Sequence, residues 1–363
     1  MKILMFTRCM GEGGTEKVII QLCQMLKNNG NDVFVCAAGG KGVAKLKEID
    51  IPFYQIPDMQ NKNPQLMFEI LKKVKKLIDK EKIQIVHTHH RMAAFYTRIL
   101  YNGSFLFVNN IHNTFDDKKI LTRFAFNKAL NIAVGDSVKN NICTTYGLKP
   151  EKVKVIYNAI DNRCIKYEPN ELLDGLKDEG YFLVGNVGRV NTQKGFEYFI
   201  KSAVKIRESN LPIKLIIIGE GVLTQEMENL VNQLNLEEYV YFSGFTHNVL
   251  NIMSKLDLIV LSSLWEGFPL TPIEAFSVGK TIIATEVPGT KEIVKNGENG
   301  IIVPLKNSEA IADEIIRLYK DINFKEKLEA KAAESYNKFF SYKSFENNYN
   351  TIYKKNGRRE NHA

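Results

Sequence analysis

"YFLVGNVGRVNTQKGFEYFI", residues 181–200, holds a strand, a basic loop and a helix start in one short stretch. The apolar run that closes on "VGNVG" reads as a buried strand. Arg189 and Lys194 follow it, five positions apart, and Gly195 opens a helix predicted over 195–209. Two cations beside a helix N-terminus suit a diphosphate, because a guanidinium chelates oxygens and an ammonium adds a point charge. The alternative is a solvated loop that happens to hold two basic residues. A strand feeding a helix through such a loop is the unit of a doubly wound sheet, whose ligands bind outside the carboxyl ends of the strands.

The same alternation runs along the whole chain. "KILMFT", "DVFVCAA", "IQIVHTH", "FLFVNNIH", "NIAVGD" and "VKVIYN" read as strands of the first half. "FLVGNVG", "IKLIIIG", "VYFSGF", "LDLIVLSS", "TIIAT" and "GIIVP" do so for the second. Helices are predicted over 15–29, 66–81, 121–130, 195–209, 224–234, 271–278 and 308–320. Strands rich in β-branched residues, separated by helices, predict parallel sheets covered on both faces. Two such series predict an α/β protein of two Rossmann-like domains, 1–165 and 178–335. The break falls in the polar stretch 161–180, which carries no clean strand pattern. The aromatic spacing of 334–357 predicts a terminal helix, with 340–357 packing back on the first domain.

A length of 363 residues is comfortable for two cores, and 44% apolar with 25% charged residues is a globular composition. No apolar run approaches the roughly 18 residues of a membrane span, and "MKILMFTRCM" lacks the h-region of a signal peptide. Five scattered cysteines, Cys9, Cys23, Cys36, Cys143 and Cys164, without a C-x-x-C, argue against a disulfide framework or zinc site. They point to a reducing, cytoplasmic setting. The charge is lopsided: residues 1–165 hold 25 Lys and Arg against 14 Asp and Glu, whereas 166–363 hold 24 against 27. A basic first half suits an anionic surface or substrate, unless its lysine-rich helices are simply solvated.

Other strand ends carry further candidates. "TRCMGEGGTEKV" places Gly11, Gly13 and Gly14 between the first strand and a helix, where backbone N–H groups can cradle an anion. NAD binding is disfavoured, since Glu16 stands where G-x-G-x-x-G needs its third glycine, and no acid closes the second strand. His87, His89 and His112 follow middle strands without a carboxylate or cysteine to complete a metal set. They suit hydrogen bonding to a polar ligand, or plain structural roles. In "SSLWEGFPLTPIEAFSVG", Glu266 and Glu274 stand eight apart around a Gly-Phe-Pro turn. Thr271 and Glu274 also fit a capping box, with Pro272 at the first helical position. That would explain only one of the two acids.

Taken in order, "HTH", "IHNT", "VIYNAID", "GRVNTQKG", "GEG", "SGF", "EGFPLTPIE" and "VPGTKEIV" resemble the family-4 retaining glycosyltransferases of the GT-B fold. The resemblance spans nearly the whole chain, and E-x7-E with the upstream Arg–Lys loop is its specific part. It departs at Asn158, Ala159 and Ile160, where the family usually has Pro-Asn-Gly. The bacterial members that build capsule, exopolysaccharide or lipopolysaccharide look closest. The resemblance implies two domains facing across a cleft and transfer, with retention, of a hexose or N-acetylhexosamine from a nucleotide diphosphate sugar, UDP-linked above all. It places Glu266 and His112 at the transferred sugar and Glu274 at the ribose hydroxyls. Arg189, Lys194, Gly13 and Gly14 meet the diphosphate, and Gly244 and Phe245 lie near the base. Gly267, Phe268, Pro269 and Leu270 form the donor-loop backbone, and His87 and His89 are candidate acceptor contacts.

No cofactor or metal is expected, since no Asp-x-Asp follows a strand at the donor loop. The acceptor is expected on the first domain, as a glycan, most simply a lipid-linked one at the anionic inner face of the membrane. No nucleic-acid partner is expected. The rival readings are an NAD-dependent nucleotide-sugar epimerase or dehydrogenase, a phosphorylase, and a non-catalytic nucleotide-sugar sensor.

Overall fold

The computed structural model describes residues 1–11, 13–61, 63–163 and 165–357, with side chains to Tyr353. Every strand expected from the sequence forms, and one more joins them. The chain divides into two compact units: Met1–Asn158 together with the chain from Phe345 onward, and Ala159–Ser344. The second unit therefore takes in 159–177 and 336–344, which lie outside the expected 178–335.

The first unit carries β1 (Lys2–Phe6), β2 (Asp32–Ala37), β3 (Phe53–Gln55), β4 (Ile85–Thr88), β5 (Leu106–Ile111), β6 (Leu130–Ala133) and β7 (Val153–Val155). They pair in parallel in the order β3-β2-β1-β4-β5-β6-β7. The unexpected strand is β3, three residues at the sheet edge, too short to show a periodic pattern. The second unit carries β8 (Phe182–Val187), β9 (Ile213–Ile218), β10 (Val240–Gly244), β11 (Leu258–Leu261), β12 (Ile282–Thr285) and β13 (Ile301–Val303). Their order, β10-β9-β8-β11-β12-β13, is again all parallel. Strands β8, β9, β11 and β12 are buried along their whole length, which is why they read as unbroken apolar runs.

In each sheet the strand order reverses direction beside the first strand of its series. A crevice opens at such a point because the helices on either side leave for opposite faces. It falls between β1 and β4 in the first unit, and between β8 and β11 in the second. The loops after these strands are the ones that carry Gly13, His89, Arg189 and Glu266.

The tail departs from the single helix expected over 334–357. Helix Ile322–Ser335 loosens into a π-turn at Tyr336–Phe340, Ser341 is extended, and a new helix runs Tyr342–Gly357. Ile160 bridges Ser341 there, and the Tyr336 hydroxyl donates to the Ile160 carbonyl at 2.8 Å. In the last helix Phe345, Tyr349, Ile352 and Tyr353 are buried, a spacing that forms one apolar stripe. Its two phenols reach the first unit's sheet: Tyr353 OH meets His87 Nδ1 at 2.7 Å, and Asn110 Nδ2 donates to Tyr349 OH at 2.7 Å. The helix is thus tied to the ends of β4 and β5 by polar as well as apolar contact.

Candidate active site

In the second unit the loops after β8 and β11 meet through charge. Lys194 Nζ lies 2.6 Å from Glu266 Oε1, and both side chains are largely buried. The Ser263 hydroxyl donates to the same oxygen at 2.7 Å, while Gln193 Nε2 reaches Oε2 at 3.4 Å and the Trp265 carbonyl at 3.0 Å. The two loops are bound at the backbone as well, Leu264 N donating to Gln193 O at 2.8 Å.

The local sequence explains how Lys194 is placed. Asn191 caps the short 3-10 turn Thr192–Lys194, accepting from Lys194 N. Gly195 then takes φ +58, and a Cβ there would lie 2.4 Å from the Ser262 carbonyl oxygen. Only glycine meets both demands, so the helix that follows starts at Phe196–Glu208 hard against the end of β11. The Lys194 stem lies along Gly188, where a Cβ would be 3.3 Å from Cε. Arg189 is exposed, with no ion-pair partner among the described residues. Gly289, in the first turn of helix Pro288–Ile293 after β12, packs on the Glu266–Gly267 backbone so closely that a Cβ would be 2.2 Å from the Gly267 carbonyl oxygen.

The capping-box reading of Glu274 does not hold. Helix Thr271–Ser277 has Leu270 at its N-cap and no side-chain capping bond, because Thr271 is already helical. Glu274 is a buried acid in the first turn, where the helix dipole favours a carboxylate. Phe268 and Pro269 are buried, with Gly267 and Leu270 half-buried. Gly244 takes φ +70, and Phe245 is 56% exposed. The Phe245 N–H donates to Glu220 Oε1 at 3.3 Å. Ser263, Gln193 and Glu220 were not singled out in the sequence. Gln193 and Glu220 act through contacts between separate loops, whereas Ser263 acts within the loop of Glu266 itself; only the "GEG" signal hinted at one of them.

In the first unit a cavity of about 410 Å³ opens where β1, β4 and β5 end, with Arg8, Glu16, His89, Arg91, His112 and Lys118 in its wall. Arg91 forks onto Asp117, and Arg8 pairs with Asp58 at 3.2 Å. Gly13 is the N-cap of helix Gly14–Asn28, with no side-chain cap. The Glu16 carboxylate folds back over it, with Oε2 2.7 Å from where a Gly13 Cβ would stand. The anion position at Gly13 and Gly14 therefore already has a resident carboxylate.

The histidines divide into two ranks. His87 is fully buried and both ring nitrogens are engaged, Nδ1 by Tyr353 and Nε2 by Asn110 Oδ1 at 3.1 Å. It is a structural residue, closed to any acceptor, because the last helix covers the face of β4 on which it points. One step along, His89 Nδ1 and His112 Nε2 are 3.1 Å apart, and both line the cavity. Burial drives all of these rings toward the neutral form: His87 is lowered to about 3, His112 to about 4, and His89 well below its ordinary value. His90, which caps helix Arg91–Leu100 by accepting from Met92 N at 3.2 Å, is lowered to about 4.

A ring that stays neutral when folded is protonated first in the unfolded chain. Its stabilisation is complete above the unfolded value of about 6.5 and is lost as pH falls toward about 4. Melting temperature should therefore fall steadily between pH 6.5 and 5, before most carboxylates titrate. A flat profile over that window would show that these rings take up protons without cost.

Among the described residues, no group of three or more His, Cys, Asp or Glu side chains converges so as to hold a metal ion. The four described cysteines are free thiols, and Cys164 lies outside the described residues. No described helix is long and apolar enough to cross a membrane.

The chain matches two family models, "Glycosyltransferase Family 4" over residues 12–163 and "Glycosyl transferases group 1" over 170–335. An uncharacterized glycosyltransferase of Methanocaldococcus jannaschii is 32% identical over 276 residues, 68% of each chain. The UDP-Gal:alpha-D-GlcNAc-diphosphoundecaprenol alpha-1,3-galactosyltransferase of Escherichia coli is 28% identical over 332 residues, 85% of each. The crystal structure of Anabaena HepE in complex with UDP superposes with a TM-score of 0.85 at 21% identity, over 98% of this chain and 100% of that one. Two Rossmann-like sheets with these neighbours define a GT-B fold. The chain belongs to glycosyltransferase family 4.

Proposed function

We propose that the protein transfers a hexose or N-acetylhexosamine from UDP to a lipid-linked glycan, with retention of anomeric configuration and without a metal. The observation that carries this reading is the Lys194–Glu266 pair at the point where the second sheet reverses its strand order. An ammonium there can meet the departing diphosphate, and the carboxylate can meet positive charge developing at the anomeric carbon. Exposed Arg189 adds a second cation with five donors. Buried Glu274 offers paired acceptors to ribose hydroxyls, and Phe245 offers an open ring face to the base. In the first unit His112 supplies a neutral imidazole to the sugar. The named activity of the Escherichia coli relative, which uses UDP-Gal and a diphosphoundecaprenol acceptor, supports this choice of donor and acceptor class. The excess of cations in the first half supports an acceptor presented at an anionic membrane surface.

The test uses the full chain with UDP-hexoses and a polyprenyl-diphosphate-linked sugar in anionic lipid vesicles. UDP release should require the acceptor, persist in EDTA, and give a product whose NMR coupling shows the donor's own anomeric configuration. The rate should drop as salt rises past 0.1 M, where exposed charges are screened within roughly 10 Å. An inverted linkage, or activity restored only by a divalent ion, overturns the mechanism proposed.

A further inference from the structure

His89 has one unusual atom. Its Nε2 is buried with no hydrogen-bond partner among the described residues, while its Nδ1 is bonded to His112 Nε2 at 3.1 Å. One hydrogen must lie between those two bonded nitrogens, and it belongs to one ring or the other. If it belonged to His112, the proton of neutral His89 would sit on Nε2, a buried N–H with no acceptor among the described residues. If it belongs to His89, the orphan is only a lone pair. Buried donors without partners are rarer and costlier than under-used acceptors. His112, with Nε2 accepting, then carries its own proton on Nδ1. That nitrogen has no partner among the described residues, and the ring lines the cavity.

We propose that His89 is a positioning residue that fixes the tautomer of His112, so that His112 presents an Nδ1–H donor to a hydroxyl or ring oxygen of the sugar handled in this cavity. The inference rests on the reading of His112 as the residue that meets the sugar. The rank beneath supports it mechanically. His87 and Asn110, two residues before His89 and His112, lie on the same faces of their strands and are locked to Tyr353 and Tyr349 of the last helix. The His87 and His89 rings pack at 4.3 Å, so His89 cannot turn without moving a ring held at both nitrogens. Both rings of the upper rank are kept neutral by burial, and a single tautomer can therefore persist at physiological pH.

The experiment is a long-range 1H–15N correlation spectrum of the full chain labelled at histidine, in which protonated and bare ring nitrogens have distinct shifts. His112 should show a protonated Nδ1 and a bare Nε2. His89→Phe should mix the two tautomers and lower kcat by roughly tenfold or more, with KM for the nucleotide sugar nearly unchanged. His89→Asn, whose amide N–H can replace Nδ1–H, should restore both the single tautomer and most of the rate. A wild-type spectrum with His112 protonated at Nε2 overturns the proposal even if the variants fail to fold. So does a His89→Phe protein with unchanged spectrum and turnover. If the spectra are as expected but no sugar transfer occurs, the tautomer assignment stands and the reading of the cavity fails instead.

Discussion

Glu266→Gln should cut turnover roughly a hundredfold while leaving UDP affinity equal to the wild type or slightly tighter. Three contacts set this expectation. Lys194 and Ser263 both engage Oε1, whereas Oε2 has, among the described residues, only Gln193 at 3.4 Å. One oxygen is thus spent on holding the loop, and the other is the better placed to face substrate. Glutamine keeps the shape and an acceptor at Oε1 but carries no charge, so it can hold the loop without stabilising a developing cation. It also frees Lys194 from a competing anion, which is why nucleotide binding should not suffer. Kinetics with a saturating donor, beside calorimetry with UDP, separate the two effects. Full turnover in Glu266→Gln removes the carboxylate from the chemistry. A parallel loss of UDP affinity would instead make it a binding residue.

Much of this fold was legible because parallel strands buried on both faces must be apolar throughout, and β8, β9, β11 and β12 are. Helices with a strong polar face, such as Pro64–Glu81, showed their period; short buried ones such as Thr271–Ser277 were marked by their start signals instead. Helix Arg91–Leu100 carries no ordinary start signal, since its N-cap is a histidine that also closes a histidine cluster. The break at Ser341 could not be read, since the aromatic spacing runs on through the π-turn unaltered. The site was legible where strand ends carry charge, as at Arg189, Lys194 and Glu266. Pairing was not, because which cation meets which anion depends on loops brought together by sheet order. Sequence spacing joins Lys194 with Arg189 as partners on one diphosphate. The folded chain gives Lys194 a carboxylate of its own and leaves Arg189 open to solvent. His87 shows the same limit, since nothing in "HTHH" distinguishes the ring that a helix more than 250 residues later will cover.

Lys194→Ala should weaken UDP binding by roughly ten- to a hundredfold and uridine binding hardly at all. A charge-assisted hydrogen bond to phosphate is worth about 1.5–3 kcal/mol, and each 1.4 kcal/mol is a factor of ten. Loss of the ammonium also leaves Glu266 without its counter-ion at a largely buried position, where the remaining bonds from Ser263 and Gln193 supply no positive charge. An anion standing beside an incoming diphosphate adds repulsion to the lost attraction, and in that low-dielectric setting the two effects are of similar size. The double variant Lys194→Ala/Glu266→Gln tells them apart. It should bind UDP more tightly than Lys194→Ala alone, because the unpaired charge has gone, yet less tightly than Glu266→Gln, which keeps the ammonium. The two substitutions should therefore be strongly non-additive in a double-mutant cycle. Lys194→Arg should recover only part of the affinity, since a planar fork does not fit the narrow approach along Gly188. Equal losses for UDP and uridine in Lys194→Ala would show that the lysine shapes the loop rather than meeting phosphate. A double variant that binds no better than Lys194→Ala would leave Glu266 electrostatically silent toward the nucleotide, and the pair would then serve only to hold the two loops together.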